Sequence, residues 1–382
     1  MGLRLLGAAL AAWIAVPAHA AEDPGEVSPP PGWENITKGL CEGIPDYRDG
    51  DSWWNKRLGK IHVDNVTGDV YVSLCEHWGT YRSTDCGDTW RLVDNQIALG
   101  RHVGDLGMFP NPATGDFILF KVNGGKNANK SAVVLERGTR LIPIKNIGDG
   151  WNSGMADWSR TPPQTILARQ HHSSFTRLST DGGQTWAEVA EGFRFAAMLD
   201  ANTIFLGEEY YLLDGRRLKW EQVKQLEESA RKRAVRLADI MLTTDRGKTM
   251  TKVAQFLPSR AMPARYENDL FWLCPEGVMV TRDRGRTWAL MGQPVKEPLL
   301  GPYFGNNKDT MVVLDKEGWF RTDNAGQSWQ KVAEYWLPDK QEAGWRGGNL
   351  RGSWDPIGNV LYIGLLGKDA YRHHLQGKAA RD

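Results

Sequence analysis

Arginines recur along the chain at Arg57, Arg101, Arg194, Arg260 and Arg346, each at the head of a β-rich stretch, with Arg265 close behind Arg260. A guanidinium presents a planar fork of N–H donors that matches a carboxylate, so several converging on one point make an anion site. Between them fall side chains able to move protons or attack a carbon centre: His77, His172, Glu208, Glu209 and Tyr303. Glu208 or Glu209 with Tyr303 supplies a base and a nucleophile, and His77 or His172 an acid. Trp78, Trp151 and Trp345 lie in the same stretches and offer flat apolar faces against which a sugar ring can stack. Charge, proton transfer and aromatic faces together point to an anionic carbohydrate.

Other chemistries are excluded by what is missing. The four cysteines, Cys41, Cys75, Cys86 and Cys274, have no metal-ligand spacing, and no CxxC, phosphate-binding glycine loop, HExxH or nucleophile-elbow motif is present. No metal and no cofactor is expected. Four cysteines allow three disulfide pairings, and the spacing does not choose among them. The net charge of +1 names neither a nucleic-acid nor a membrane partner.

The N-terminus reads as a targeting segment. Arg4, an apolar run from Leu5 to Val16 and the small-x-small site Ala18-His19-Ala20 have the layout of a secretory signal peptide over residues 1–20. Export to the periplasm or beyond is expected, with no membrane span left after cleavage. Residues 21–32 read as a flexible leader, 33–375 as one domain, and 376–382 as a C-terminal tail; a monomer is expected.

The elements that must position the candidate residues announce themselves by repetition. Ser83-Thr-Asp85-Cys-Gly87-Asp-Thr89-Trp90 returns at Ser179–Trp186, at Thr243–Met250 with Met for Trp, and at Thr281–Trp288. A looser copy, Thr322–Trp329, has its acid Asp323 one residue out of step. The spacing describes a tight turn. The Asp accepts backbone N–H groups, the Gly takes a conformation a side chain would forbid, and the Trp opens the next strand and packs between sheets. These acids are structural, not catalytic. Each copy follows a β-rich run, and Asp245, Asp283 and Asp323 stand 38 and 40 residues apart, the length of a four-stranded propeller blade. The fold expected is therefore an all-β propeller of seven four-stranded blades, with six as the alternative. Units begin near residues 58, 102, 150, 194, 259, 298 and 346, and Trp33–Leu40 supplies the outer strand of the last. One helical insertion is expected at Lys219–Leu237, where Trp220, Val223, Leu226, Ala230, Ala234 and Leu237 follow steps of three and four.

The repeated motif resembles the Asp-box, or bacterial neuraminidase repeat, of sialidases and other propeller proteins. The resemblance runs through the repeats across most of the chain and is specific for fold rather than function. In such propellers the boxes occupy one face and the enzymes work at the other, where the arginine-bearing loops and the turns with His77, His172, Glu208 and Glu209 would lie. Sialidases carry an Arg-Ile-Pro motif near the start; here Arg160-Thr-Pro162 stands far from it, so a glycosidase or lyase acting on another acidic glycan is the expectation. Exported propellers of this kind also resemble assembly factors such as the photosystem II stability factor family, which implies a protein partner as the alternative.

Overall fold

The computed structural model describes residues 13–15, 29–43, 58–74, 79–93, 108–111, 113–120, 131–145, 151–170, 175–260, 262–336 and 350–375. Their strands form seven antiparallel sheets, hydrogen-bonded in chain order from the innermost strand outward except that Trp33–Asn35 is added outside the last and Trp13–Ala15 outside the first. The innermost strands are Leu58–Val63, Met108–Pro110, Trp151–Asp157, Phe195–Asp200, Ala264–Tyr266, Leu300–Phe304 and Leu350–Asp355, so blades 1 to 7 begin near the expected points. Among the described residues no helix is long and apolar enough to cross a membrane.

A blade inside a propeller is covered on both faces by its neighbours, so its middle strands are apolar throughout rather than alternating. Val70–Leu74, Met311–Leu314 and Val360–Leu365 are buried at every position. The core is accordingly divided into clusters lying between adjacent blades. Leu314 and Trp319 of blade 6, for example, meet Trp354 and Leu361 of blade 7.

The repeated turns join the third and outer strands and follow the expected chemistry. Asp85 accepts the Thr89 N–H at 2.9 Å, and the Ser83 hydroxyl accepts the Gly87 N–H at 2.7 Å. Asp181, Asp245 and Asp283 repeat the pattern with Thr185, Thr249 and Thr287. The fifth turn corrects the reading of its acid. Asn324 takes the Asp place, accepting the Ser328 N–H at 3.0 Å and donating from Nδ2 to the Ser328 hydroxyl. Asp323 instead turns to Arg321. The glycine is needed twice over at Gly285: its φ is +81°, and a Cβ there would lie 1.9 Å from the Phe205 ring of the preceding blade. The tryptophans tie blades together. The Trp90, Trp186 and Trp329 indoles donate to the carbonyls of Ile36, Lys145 and Gln293, each on the blade before.

Ring closure follows the expectation in part. Only Trp33–Asn35 of the Trp33–Leu40 stretch is strand; it pairs antiparallel with Ala370–His374 as the outer strand of blade 7, and Lys38–Glu42 turns into a short helix. Arg372 holds the junction through Glu34, Asp88 and the Cys86 carbonyl. Residues Trp13–Ala15, inside the expected signal segment, pair with Thr89–Arg91 at the edge of blade 1.

Blade 4 departs from the expected continuous helix. Its second and third strands, Thr203–Leu213 and Val235–Thr243, run on as a long hairpin paired as far as Leu212 with Val235. Ala234 closes the helical stretch and Leu237 is in a strand. Between the strands sit a returning strand at Arg216–Leu218 and two short helices, Trp220–Val223 and Glu228–Arg233. The break is stabilised by Arg231, whose guanidinium reaches back to the Lys224 and Leu226 carbonyls at 3.0 and 3.1 Å, acceptors that a continuous helix would have used itself.

Candidate functional site

The innermost strands of blades 1, 2, 5, 6 and 7 surround a cavity of about 230 Å³ on the central axis. Its wall carries four cationic side chains, Lys60, Arg260, Arg265 and Arg351, against one carboxylate, Asp64. His62, Asn65, Asn111, Tyr303 and Ser353 complete its polar lining.

The three arginines are held by the fold. Arg351 sits between Leu350 and Gly352 on the innermost strand of blade 7 and is 1% exposed. Its Nε donates to the Gly59 carbonyl at 2.7 Å and its Nη1 to the Leu350 carbonyl at 2.8 Å, which fixes the fork at the blade 7–blade 1 junction. Arg260, in the loop entering blade 5, donates from Nε to the Leu299 carbonyl at 3.0 Å and so bridges to blade 6. Arg265 donates from Nε to the Glu267 carbonyl, while its Nη1 is buried without a partner. Burial lowers the Arg265 pKa from its ordinary value, against the pull of Asp157 and Asp200.

The neutral groups are fixed in kind. Tyr303 leans on Trp319, with ring centroids 6.2 Å apart. Burial drives its phenol pKa well above the ordinary value, although Arg260 and Arg351 both act the other way. At neutral pH it is therefore a hydroxyl, able to donate to an anion and poorly suited to act as a phenolate. His62 packs beside Tyr71 and Phe117. Burial first and the Lys60 charge second hold its pKa down at about 3, so its imidazole is neutral in ordinary buffers. Asp64 is fully buried against Gly115 of blade 2, and burial raises its pKa although its carboxylate accepts the Val66 N–H and the Thr67 hydroxyl.

Of the residues singled out from sequence, Arg260, Arg265 and Tyr303 meet in this cavity. Arg194, Glu208 and Glu209 do not line it. Glu209 is gripped by Arg236 through two N–H donors, with Arg194 at 3.3 Å, and Glu208 lies 3.7 Å from Arg217. These are the partners of a long hairpin on blade 4. Arg57, Arg101, Arg346, His77, His172, Trp78 and Trp345 lie outside the described residues, as does Cys75; Trp151 opens the innermost strand of blade 3. Lys60, His62 and Arg351 were not found from sequence, because the loops were searched and these three sit within strands. The signal was there: each stands among apolar or small residues inside an innermost strand, Leu58–Val63 or Leu350–Asp355.

No protein-family description and no curated protein matches the sequence. Among solved structures, the chain is similar to a GH74 enzyme from Niastella koreensis, with a TM-score of 0.50 and 12% identity, covering 84% of this chain and 44% of that one. It thus spans less than half the length of that enzyme. Virginiamycin B lyase from Staphylococcus aureus aligns with a TM-score of 0.47 and 12% identity over 90% of this chain and 98% of its own. YCF48 from Cyanidioschyzon merolae aligns at 0.45 and 9% identity, over 90% and 99% respectively. The likeness to the GH74 enzyme is one of fold: this chain is a seven-bladed β-propeller.

Proposed function

We propose that this chain is an exported Asp-box propeller that binds an anionic carbohydrate in its central channel. The observation that supports it most is the make-up of the cavity lining, in which Lys60, Arg260, Arg265, Arg351 and Tyr303 stand with a single carboxylate residue, Asp64. Charge-assisted hydrogen bonds to a desolvated carboxylate contribute roughly 1.5–3 kcal/mol each, so three at the top of that range reach the roughly 8 kcal/mol of micromolar binding. Tyr303 serves the carboxylate as a donor. Glu208 and Glu209 remain candidate acid–base groups only for a ligand long enough to reach blade 4.

Titration calorimetry with glucuronate, galacturonate, sialate and glucose tests this. An acidic sugar should bind and glucose should not, and Lys60→Met or Arg260→Met should weaken the acid at least about tenfold. Failure of all three acids to bind the folded protein would overturn the reading. A second reading, docking of a protein partner, is supported by the blade 4 hairpin, which carries Trp220 and Val235 about half exposed beside a run of charges. Binding of a defined partner that is lost on shortening residues 214–234, without any acidic-sugar binding, would favour it.

A further inference from the structure

We propose that the outer edge of blade 1 is a strand-addition site for an apolar, extended segment of a partner protein, held in this chain by its own residues Trp13–Ala15. The inference is independent of the anion reading and concerns the rim of the ring rather than its channel. Two blades take their outermost strand from the N-terminal end of the chain, blade 7 from Trp33–Asn35 and blade 1 from Trp13–Ala15. The two additions differ. Blade 7 has three other strands and needs a fourth. Blade 1 already has four, in Leu58–Val63, Val70–Leu74, Thr80–Ser83 and Thr89–Leu92. Trp13–Ala15 is therefore a fifth strand, laid on a blade that is complete without it.

The backbone register shows what this edge offers. Trp13, Ile14 and Ala15 stand opposite Arg91, Trp90 and Thr89 in an antiparallel pair. The Val93 N–H donates to the Thr80 carbonyl, so Val93 turns its backbone groups inward to the third strand. By the alternation of an antiparallel ladder Arg91, which pairs with Arg82, does the same, and Trp90 turns its N–H and C=O outward toward Ile14. Outward-turned main-chain groups on an edge strand are a template for another chain, and they bind an extended segment largely through its backbone.

The seated segment also indicates the chemistry of a replacement. Leu5 to Val16 carries no charged residue, and Trp90, at the centre of the pairing, is buried. An uncharged, apolar, extended stretch of a partner has the same chemistry. While Trp13–Ala15 stays in place the edge is filled and that partner is shut out. Loss of residues 1–20 on export, as their signal-like layout predicts, would vacate it.

The test uses the full chain. Ile14→Pro removes the N–H at the central pair and should open the edge without altering blade 1 itself. A fluorescent peptide of residues 10–17 should bind the folded Ile14→Pro protein at least about tenfold tighter than wild type, whose edge is occupied. Methylating the peptide nitrogen of Ile14 should abolish that binding, whereas methylating that of Ala15, which the ladder turns away from the blade, should weaken it less than about threefold. A scrambled peptide of the same composition should bind within about tenfold of the original, because the main chain makes the contact, and a peptide of alternating Lys and Glu should not bind. Equal binding by wild type and Ile14→Pro, or equal binding of the two methylated peptides, would overturn the strand-addition site. Binding of the native peptide but not the scrambled one would confine the edge to the chain's own segment and overturn the partner. Dimerisation of Ile14→Pro without peptide binding would give the edge to a second copy and overturn the partner as well.

Discussion

At the scale of single residues, the five repeated turns are a natural comparison of carboxylate with amide. In four of them an Asp accepts the N–H four residues on; in the fifth Asn324 does the same work without a charge. Hydrogen bonds from Thr185 lower the Asp181 pKa to about 2, and the Thr249 N–H leads the same effect at Asp245. A carboxyl whose folded pKa lies below its unfolded value adds stability above the unfolded value and loses it as pH falls through the folded one. The Thr185 and Thr249 amides should therefore lose hydrogen-exchange protection between about pH 4 and pH 2, once corrected for intrinsic rates, while Ser328, bound to Asn324, keeps its own. Equal loss at all three would show that the turns do not depend on the carboxylate. The sequence made these turns legible because their chemistry is local. It misled only where an acid, Asp323, and an amide, Asn324, stood side by side.

At the scale of elements, blade 4 shows why the helix was overread. Its apolar residues from Trp220 to Leu237 do step by three and four, but Val235–Thr243 also fits a strand, and pairing with Thr203–Leu213 decides the contest. No local pattern encodes a partner more than twenty residues away. The same hairpin explains the arginine and glutamates read as functional. Glu209 is 12% exposed at its side chain and Arg236 8%, so their pair is largely desolvated. Removing one partner of such a pair leaves a charge stranded, and Arg236→Ala should cost about 3 kcal/mol in denaturant unfolding. A loss below about 1 kcal/mol would show that Arg194 or water replaces it. The channel was half legible for a related reason. Arg260, Arg265 and Tyr303 were found near predicted strand boundaries, whereas Lys60, His62 and Arg351 are interior strand residues whose facing follows only from the ring.

At the scale of the molecule, repetition carried most of the fold. A spacing near 40 residues fixed the blade, and the blade count followed from the units between 58 and 375. Closure depended on a segment far from its partner. Trp33 stacks on His373 with centroids 5.0 Å apart, Asn35 donates to Asp369, and Trp90 of blade 1 reaches the Ile36 carbonyl. Removing residues 29–43 should leave the Ala370–His374 edge bare, lower the melting temperature by many degrees and promote association through that edge. A truncated protein that stays monomeric and melts with the intact one would show that the ring closes without its outermost strand.

That junction also orders events in time. Glu34 and Arg372 meet across 338 residues of sequence. During synthesis Glu34 emerges 338 residues before Arg372. For most of that interval Trp33–Asn35 has no strand to pair with while blades assemble from neighbouring residues. Contacts so distant are formed late, because a long loop must be closed before they return any energy. The seam between Trp33–Asn35 and Ala370–His374 is therefore expected to close late, and until then the nascent protein carries two matching strand edges open to another unfinished copy.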